Sequence, residues 1–516
     1  MVRLSPAWKA LPLLLAVLAS VAGGTHAAET PRTLYARAQA LARENRPAEA
    51  RTAALQAIAA SPAFAEAHFL VGWTHEQEGA LAEAAAAYEA AVRHAPRMAL
   101  AHDRLGFVRG RQGDTAAAIA GFRRAIALDP TLADAQYHLG ATLWWTKDAR
   151  GASTALRAAV RLRPDHAESR YYLGLALRET GDARGALAEL RRAVALGPTL
   201  HDPQVRLAAL LLELGDADGA VASYRQAVAI DPGSAEARNG LGLALMEKGE
   251  AEEAAATFRA LVDSHPDDAG ARHNLGTALL QRGDLAGAVA VYRELIRRDP
   301  GNAVARYNLG LAQKQQDDFA GAESELRQAL VLDPRLPEAS YTLGVVLWQT
   351  GRAPEATAPF RAAIAARPDY AEAHYMLGLV RKQEGDLEGA LAGFREAVRL
   401  RPRYAEAQAA LGQLLAARGD TAGAAAAQDA SARLTREKAD AQAAAFALAA
   451  GQASAAKGDR PAALASLREA VRLDPASARA HYQLALVLRQ AGAAREAARH
   501  FAEAHRLAPY LPAGPS

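Results

Sequence analysis

One residue type recurs at a fixed spacing along most of this 516-residue chain. Proline appears every 34 residues, eleven times in succession, at Pro62, Pro96, Pro130, Pro164, Pro198, Pro232, Pro266, Pro300, Pro334, Pro368 and Pro402. Chance does not place eleven prolines on one period. A fixed period of this length indicates a stacked array in which each unit packs only on its neighbours. The chain is therefore predicted to fold as a solenoid and not around one central core.

The unit at residues 269–302 shows what each period encodes. Its first half carries apolar residues at helical spacing, and Gly283 ends that helix because glycine adopts the left-handed cap conformation without a Cβ penalty. Asp284 is predicted to be the N-cap of a second helix. Pro300 stops that helix because proline lacks the N–H group. Each unit is predicted to be helix, turn, helix, turn, and the fold class to be all-α.

Small residues indicate how the two helices of a unit meet. With Ala269 counted as position 1, position 8 is mostly glycine and position 20 is alanine, as at Gly276 and Ala288. This pairing predicts a close approach of the two helix backbones. Position 24 is often aromatic, as at Tyr292, and is predicted to fill the gap against the next unit. Position 19 is often glycine, as at Gly287, although glycine weakens a first helical turn. Beyond closer helix approach, the sequence gives no physical reason for it.

A 34-residue helix–turn–helix with Leu-Gly at positions 7 and 8, Ala at 20, Tyr or Phe at 24 and Pro at 32 resembles the tetratricopeptide repeat (TPR). The resemblance covers nearly the whole chain after its first 30 residues, in about fourteen units. It implies an α-solenoid superhelix in which the first helix of each unit lines the concave face. It also implies a scaffold or adaptor that binds partners on that face.

Residues 1–28 do not belong to the array. Lys9 lies in a short positive start, residues 11–22 are apolar, and small residues precede Ala28, which is the pattern of a secretory signal peptide. The apolar stretch is short for a spanning helix. We therefore predict an exported protein, periplasmic or secreted, with no integral membrane segment after cleavage. An uncleaved N-terminal membrane anchor is the alternative.

The array is predicted to have three parts. Residues 31–404 hold eleven units in strict register, of which the first is the least regular and fits a capping role. Residues 405–443 form a degenerate unit and part of an extended helix, because 421–450 lacks proline and is dominated by alanine. Residues 444–511 add two further units, and 512–516 are a tail.

Two turns in the regular part depart from the pattern. Lys147 and Asp317 stand where the other units carry the turn glycine. A residue with a Cβ disfavours the left-handed conformation that glycine supplies. These turns are predicted to be tighter or differently shaped, with the register continuing across them.

Composition and motifs exclude several function classes. The 60 basic and 57 acidic residues are interspersed and leave a net charge of +3, which argues against a nucleic-acid-binding surface. The absence of cysteine excludes thiol nucleophiles and thiolate metal sites. No phosphate-binding loop or nucleophile motif is present. Histidines at position 4 of neighbouring units are too far apart to share a metal. We predict no enzyme activity, no cofactor and no metal.

Candidate partner-binding residues follow from the resemblance, which places positions 5, 12 and 13 of each first helix toward a ligand. They are Tyr137, Tyr171, Tyr307, Tyr341 and Tyr375 at position 5, Trp144 and Trp348 at position 12, and Gln281, Gln315, Gln349 and Gln383 at position 13. Tyrosine offers apolar area and a hydroxyl, and glutamine both donates and accepts hydrogen bonds. The tyrosines could equally serve packing between adjacent first helices.

Two kinds of ligand suit such a face. The first is a protein partner, either an extended segment or a helix, bound along the groove by a scaffold of the cell envelope. The alternative is a glycan, with the tyrosines stacking on sugar rings in envelope polysaccharide assembly or export. The sequence does not identify the partner.

Overall fold

The computed structural model describes residues 29–511, which form helices and turns without any strand. The all-α solenoid expected from the period is confirmed. The predicted signal peptide, residues 1–28, and the predicted tail, residues 512–516, lie outside the described residues. Within 29–511, no helix combines the length and the apolar character needed to cross a membrane.

The described chain contains 27 helices, two for each repeat except where one long helix serves two repeats. Their bounds are α1 (Pro31–Arg43), α2 (Pro47–Ala60), α3 (Ala65–Gln77), α4 (Leu81–His94), α5 (Ala99–Arg111), α6 (Thr115–Leu128), α7 (Ala133–Trp145), α8 (Ala149–Leu162), α9 (Ala167–Glu179), α10 (Ala183–Leu196), α11 (His201–Glu213), α12 (Ala217–Ile230), α13 (Ala235–Lys248), α14 (Ala251–Ser264), α15 (Ala269–Arg282), α16 (Leu285–Arg298), α17 (Ala303–Gln315), α18 (Phe319–Leu332), α19 (Pro337–Gln349), α20 (Ala353–Ala366), α21 (Ala371–Gln383), α22 (Leu387–Leu400), α23 (Ala405–Ala417), α24 (Thr421–Ala456), α25 (Arg460–Leu473), α26 (Ala478–Gln490) and α27 (Ala494–Leu507).

The chain divides into two compact units, Met1–Asp165 and His166–Ser516. The first contains α1–α8 and the second contains α9–α27. In the second unit, first helices of neighbouring repeats contact one another directly, as α17 contacts α19 and α19 contacts α21. Successive second helices make no comparable contact. The first helices therefore lie on the inner side of the curve that this part of the solenoid describes.

The turn inside each repeat is built as the sequence predicts. Gly283 has a φ of 85° in the left-handed region. The Asp284 side chain accepts a hydrogen bond from the backbone N–H of Gly287 at 2.9 Å, which confirms it as the N-cap of α16. A Cβ on Gly287 would lie 2.7 Å from Asp284 Oδ2. The glycine at position 19 thus lies against the capping carboxylate, although α6 keeps the same cap hydrogen bond with Ala117 at this position.

The turns at Lys147 and Asp317 correct a prediction. Their φ angles are 67° and 60°, in the same left-handed region as the turn glycines, so these turns are not differently shaped. Asn45, in the turn of the first repeat, also adopts the left-handed conformation, with a φ of 58°. The hydrogen bonds of the turn and the packing of both helices impose the conformation, at a cost that glycine does not incur.

The close approach of the two helices in a repeat involves the ring at position 24. A Cβ on Gly276 would lie 2.6 Å from Cζ of Tyr292, and that ring is fully buried. The ring packs first on the glycine of its own repeat, which the sequence analysis did not anticipate. Tyr224 also reaches the next repeat, where a Cβ on Gly240 would lie 2.3 Å from the ring. The predicted contact with the next repeat is therefore only part of its role.

The long helix α24 spans Thr421–Ala456 without a turn. Its 36 residues contain the stretch that the sequence predicts to be one extended helix. It packs against α23 before it and α25 after it, and so serves as the second helix of one repeat and the first helix of the next. The boundaries predicted at 404/405 and 443/444 stay predictions.

Candidate binding face of the first helices

Three neighbouring first helices present the same stripe of side chains. Positions 5, 9 and 12 are spaced i, i+4 and i+7, which places them on one helix face. On each helix the stripe holds a tyrosine, an aliphatic residue and a lysine or tryptophan. The stripes are Tyr307, Leu311 and Lys314 on α17, Tyr341, Val345 and Trp348 on α19, and Tyr375, Leu379 and Lys382 on α21. We call these nine residues, with Gln315, Gln349 and Gln383 at position 13, the three-helix face.

The tyrosines of the three-helix face are half-buried. The Tyr341 ring lies 5.0 Å from the Tyr370 ring, and the Tyr375 ring lies 5.1 Å from the Tyr404 ring, centroid to centroid. Burial raises the pKa of Tyr307, Tyr341 and Tyr375 above its usual value. These hydroxyls are therefore neutral hydrogen-bonding groups, and one side of each ring is used for packing.

A second aromatic row, Tyr370 and Tyr404 at position 34, was not predicted from the sequence. The guanidinium of Arg367 lies over the Tyr370 ring at 4.7 Å, and that of Arg401 lies over the Tyr404 ring at 5.3 Å. Arg367 also pairs with Glu338 of the same repeat. The signal was present in the sequence, since both the tyrosines and the arginines recur 34 residues apart. This row fixes the loops between repeats and holds the neighbouring tyrosines in place.

The four glutamines predicted at position 13 lie on four successive first helices, and all four are exposed. Gln281 Nε2 donates a hydrogen bond to the carbonyl oxygen of Met246 at 3.1 Å, so this member links its helix to the preceding first helix. The same two helices are joined by a bond from Asn274 Nδ2 to Asn239 Oδ1 at 2.9 Å. Gln315, Gln349 and Gln383 form the exposed amide edge of the three-helix face.

The remaining predicted residues differ in exposure. Trp348 is 37% exposed, whereas Tyr137 is only 6% exposed, which leaves its ring little surface to offer a partner. Trp144 is half-buried and meets Trp145 edge to face at 4.9 Å. Burial, followed by the charge of Asp202, raises the pKa of Tyr171 to about 12. Tyr137 and Trp144 belong to the first compact unit, and the other predicted residues belong to the second.

The first compact unit contains a buried polar network that sequence reasoning also missed. Tyr88 Oη donates to Glu76 Oε2 at 2.7 Å, and Arg104 Nη1 donates to Glu76 Oε1 at 3.1 Å. His138 Nδ1 lies 2.9 Å from Asp103 Oδ1. Asp103 Oδ2 has no hydrogen-bond partner among the described residues, but Arg104 Nε lies 3.8 Å away. The network joins three successive repeats, and no repeat position marks it in the sequence.

The histidines at position 4 have a structural role. Nε2 of His68, His102 and His374 lies 2.9–3.1 Å from the carbonyl oxygen of the proline six residues earlier. Arg272 donates to the Pro266 carbonyl in the same way, at 2.6 Å. Position 4 therefore closes the turn between repeats. Residues 29–511 contain no cluster of three or more His, Cys, Asp or Glu side chains that could hold a metal ion.

Several solved structures are similar to parts of this chain. Yeast Tom70 is 14% identical, with 76% of this chain and 96% of that chain covered and a TM-score of 0.39. YrrB, described as a TPR protein with an unusual peptide-binding site, is 24% identical, with 37% and 97% covered and a TM-score of 0.35. MamA from Desulfovibrio magneticus RS-1 is 28% identical, with 33% and 96% covered and a TM-score of 0.31. No curated protein matches the chain.

Sequence models of the repeat match most of the array. The model described as Tetratricopeptide repeat matches residues 35–99, 146–201, 205–269, 244–303 and 307–371. A second model, described as TPR repeat, matches 111–144, 378–419 and 451–492. The matches together reach from the first repeat to the last, and they cover α19 and parts of α17 and α21. The chain belongs to the tetratricopeptide repeat family.

Proposed function

We propose that this chain is a non-enzymatic TPR scaffold that binds a segment of a protein partner on the three-helix face. The observation that supports this is the threefold recurrence of one stripe on adjacent first helices, with half-buried tyrosines and exposed glutamines. Packing alone does not require the same polar residue at the exposed position 13 in successive repeats. Tyrosine hydroxyls and glutamine amides suit the N–H and C=O groups of a peptide backbone.

The packing of the tyrosine rings favours a protein partner over a glycan. Stacking on a sugar needs an open ring face, but Tyr341 and Tyr375 each lie about 5 Å from a second tyrosine ring and are half-buried. Each ring also contacts the buried aromatic residue of its own repeat, Phe360 for Tyr341 and Phe394 for Tyr375. The surface that remains suits side-chain and backbone contacts along a segment. Because the face is already ordered, binding orders little of the scaffold.

Affinity capture from an extract of the source cells tests the proposal. The test variant is Gln315→Ala with Gln349→Ala and Gln383→Ala, which changes only exposed side chains and leaves the half-buried tyrosines in place. The matched control removes three exposed glutamines from second helices, Gln56 on α2, Gln226 on α12 and Gln328 on α18. We expect to find a protein that is captured by the parent and by the control but not by the test variant.

A second variant, Tyr341→Phe with Tyr375→Phe, separates the hydroxyls from the rings, and Tyr307 is kept because its hydroxyl bonds to the buried Thr342. We expect it to weaken capture of the same protein while the melting temperature stays unchanged. If the parent and the glutamine variant retain the same proteins, the three-helix face is not the binding site. If the face-dependent ligand is a polysaccharide, the glycan alternative replaces this proposal.

We also propose that the chain acts in the cell envelope, because residues 1–28 have the composition of a secretory signal peptide. N-terminal sequencing of the chain recovered from its native cells tests this. We expect a new N-terminus after Ala27 or Ala28. An intact Met1 in the cytosolic fraction would contradict export, and an intact Met1 in the membrane fraction would indicate the uncleaved anchor.

A further inference from the structure

Position 12 of the three-helix face holds lysine, tryptophan and lysine on successive helices. Trp348 is 37% exposed, Lys382 is exposed and Lys314 is half-buried. Arginines on the same repeats are paired, as Arg306 is with Glu325 at 2.9 Å and Arg352 is with Glu323 at 2.7 Å. Neither lysine forms an ion pair with a carboxylate of the described residues. Two positive charges that no neighbouring side chain neutralises therefore flank an open indole.

Position 13, beside this row, carries no negative charge on the three helices, and the nearest carboxylates along the chain, Asp317, Asp318, Glu384 and Asp386, lie in the turns after α17 and α21. Position 13 is glutamine on α15, α17, α19 and α21, but it is Glu179, Glu213 and Glu247 on α9, α11 and α13. The carboxylates at position 2 of α19 and α21, Glu338 and Glu372, are already paired with arginines. Glu213 is paired with Arg178, so an anionic ligand would find unpaired positive charge on the three-helix face and the negative charges of Glu179 and Glu247 on the earlier first helices.

The distance between neighbouring helices determines how far apart the contacting residues of a ligand must lie. Helices in contact lie about 8–10 Å apart, axis to axis, and α19 contacts both α17 and α21. A peptide in the polyproline II conformation has three residues per turn and advances about 3.1 Å per residue, so residues three positions apart lie on the same side and about 9 Å apart, which matches one helix step. A peptide that crosses the three helices with one side chain over Trp348 would bring residues three positions away toward Lys314 and Lys382.

We infer that the three-helix face binds an acidic peptide in the polyproline II conformation, in which an apolar residue has an acidic residue three positions before it and another three positions after it. The apolar side chain packs on Trp348 and the two carboxylates pair with Lys314 and Lys382. The tyrosine hydroxyls and the glutamine amides bond to the backbone. This inference rests on the proposed function and names the chemistry of its partner.

Fluorescence anisotropy of the full chain with synthetic peptides tests the inference. The probe is a short fluorescein-labelled peptide with phenylalanine at its centre, glutamate three residues to either side and serine elsewhere. A second peptide carries lysine in place of each glutamate. The test variant is Lys314→Glu with Lys382→Glu. The matched control is Lys438→Glu with Lys457→Glu on and just after α24, which changes the net charge equally away from the face.

We expect the glutamate peptide to bind the parent and the control with equal affinity and to bind the test variant about tenfold more weakly. We expect the lysine peptide to prefer the test variant over the parent, a reversal that mere loss of folding cannot produce. Trp348→Ala should weaken binding of the glutamate peptide to the parent and of the lysine peptide to the test variant. Trp145→Ala removes an indole that is 64% exposed in the other compact unit, and it should leave both affinities unchanged.

Several results would overturn the inference. They are equal binding of the glutamate and lysine peptides to the parent, no binding of either, or unchanged binding of the glutamate peptide by the test variant. The glutamine variant in the capture experiment then locates the failure. If that variant still loses its protein, the face binds a partner of other chemistry and only this inference fails. If it loses nothing, the proposed function fails with it.

Discussion

Gly276 and Tyr292 show how one atom decides the packing of a repeat. A Cβ at position 276 would lie 2.6 Å from the ring, and the ring cannot move because it is fully buried between helices. We expect Gly276→Ala to lower the free energy of unfolding by about 1–3 kcal/mol, the usual range for overpacking. Urea denaturation followed by circular dichroism measures it. Equal stability of the variant and the parent would contradict this account of position 8.

Substitution of Gly287, eleven residues later, by alanine should increase the stability of the chain. Its added Cβ would meet only the end of the Asp284 side chain, which can turn aside. The equivalent residue in α6 is Ala117, and its N–H still donates to Asp114 Oδ1 at 3.0 Å. We expect Gly287→Ala to raise the free energy of unfolding by about 0.5–1 kcal/mol, because alanine loses less backbone entropy in a helix. A loss of stability would mean that the cap requires glycine.

Lys147 tests whether the left-handed turns carry strain. Its φ of 67° is costly for a residue with a Cβ, so Lys147→Gly should raise the free energy of unfolding by about 1 kcal/mol. The reciprocal control is Gly181→Ala, at a φ of 84° with nothing within 4 Å of the added Cβ, which should lower it by a similar amount. Thermal melting of both variants measures the pair. Two neutral results would show that these turns relax without cost.

At the scale of the helices, the buried network of the first compact unit ties α3, α5 and α7 together. Glu76 has no exposed side-chain surface and accepts bonds from Tyr88 and Arg104. We expect Glu76→Ala to lower the free energy of unfolding by about 3–5 kcal/mol, because it leaves Arg104 short of a buried partner. Glu78→Ala, which breaks the more exposed pair with Arg51, should cost less than about 1 kcal/mol.

Hydrogen exchange separates this effect from general destabilisation. Loss of Glu76 should reduce protection in α3, α5 and α7 and leave the second compact unit as protected as in the parent. Similar costs for Glu76→Ala and Glu78→Ala would mean that the network contributes no more than a surface ion pair.

The helices themselves were predictable because each is bounded by local chemistry. Gly283, Asp284 and Pro300 act through their own backbone properties, and the helices begin and end where these residues require. The network around Glu76 was not predictable, because its members occupy different repeat positions and meet only after three repeats have stacked. The left-handed turn at Lys147 was not predicted for a similar reason, since the packing of two helices overrides the preference of lysine for a negative φ.

The location of the candidate site was predictable from the sequence, but the exposure of its residues was not. The resemblance placed Tyr307, Tyr341 and Tyr375 on first helices, and the structure brings those helices into contact. Exposure could not be inferred from position, since Tyr137 occupies the same position and is buried. Position in a repeat assigns a side chain to a face, but neighbouring residues such as Tyr370 decide how much of it remains accessible.

At the scale of the whole second compact unit, the last repeat contacts a much earlier one. Arg479, at the start of α26, forms an ion pair with Asp218, at the start of α12. Burial raises the pKa of Tyr510, and the carboxylate of Asp216 adds to that effect, so the end of the described chain lies near the same helix start. Arg479 and Asp218 are each about half exposed. Such a contact contributes little stability but restrains the path of the repeats between its ends.

The chain has no cysteine, so chemical cross-linking tests this contact directly. Asp218→Cys with Arg479→Cys introduces two thiols that a short bismaleimide should join within one molecule, giving a faster band on a denaturing gel. The control moves the first thiol to Asp231, the C-cap of α12, which is thirteen residues further along the chain and about 20 Å away at 1.5 Å per residue. We expect efficient cross-linking for the first pair and little for the control. Equal yields for both pairs, or a cross-link found only between molecules, would show that α26 does not rest on the start of α12 in solution.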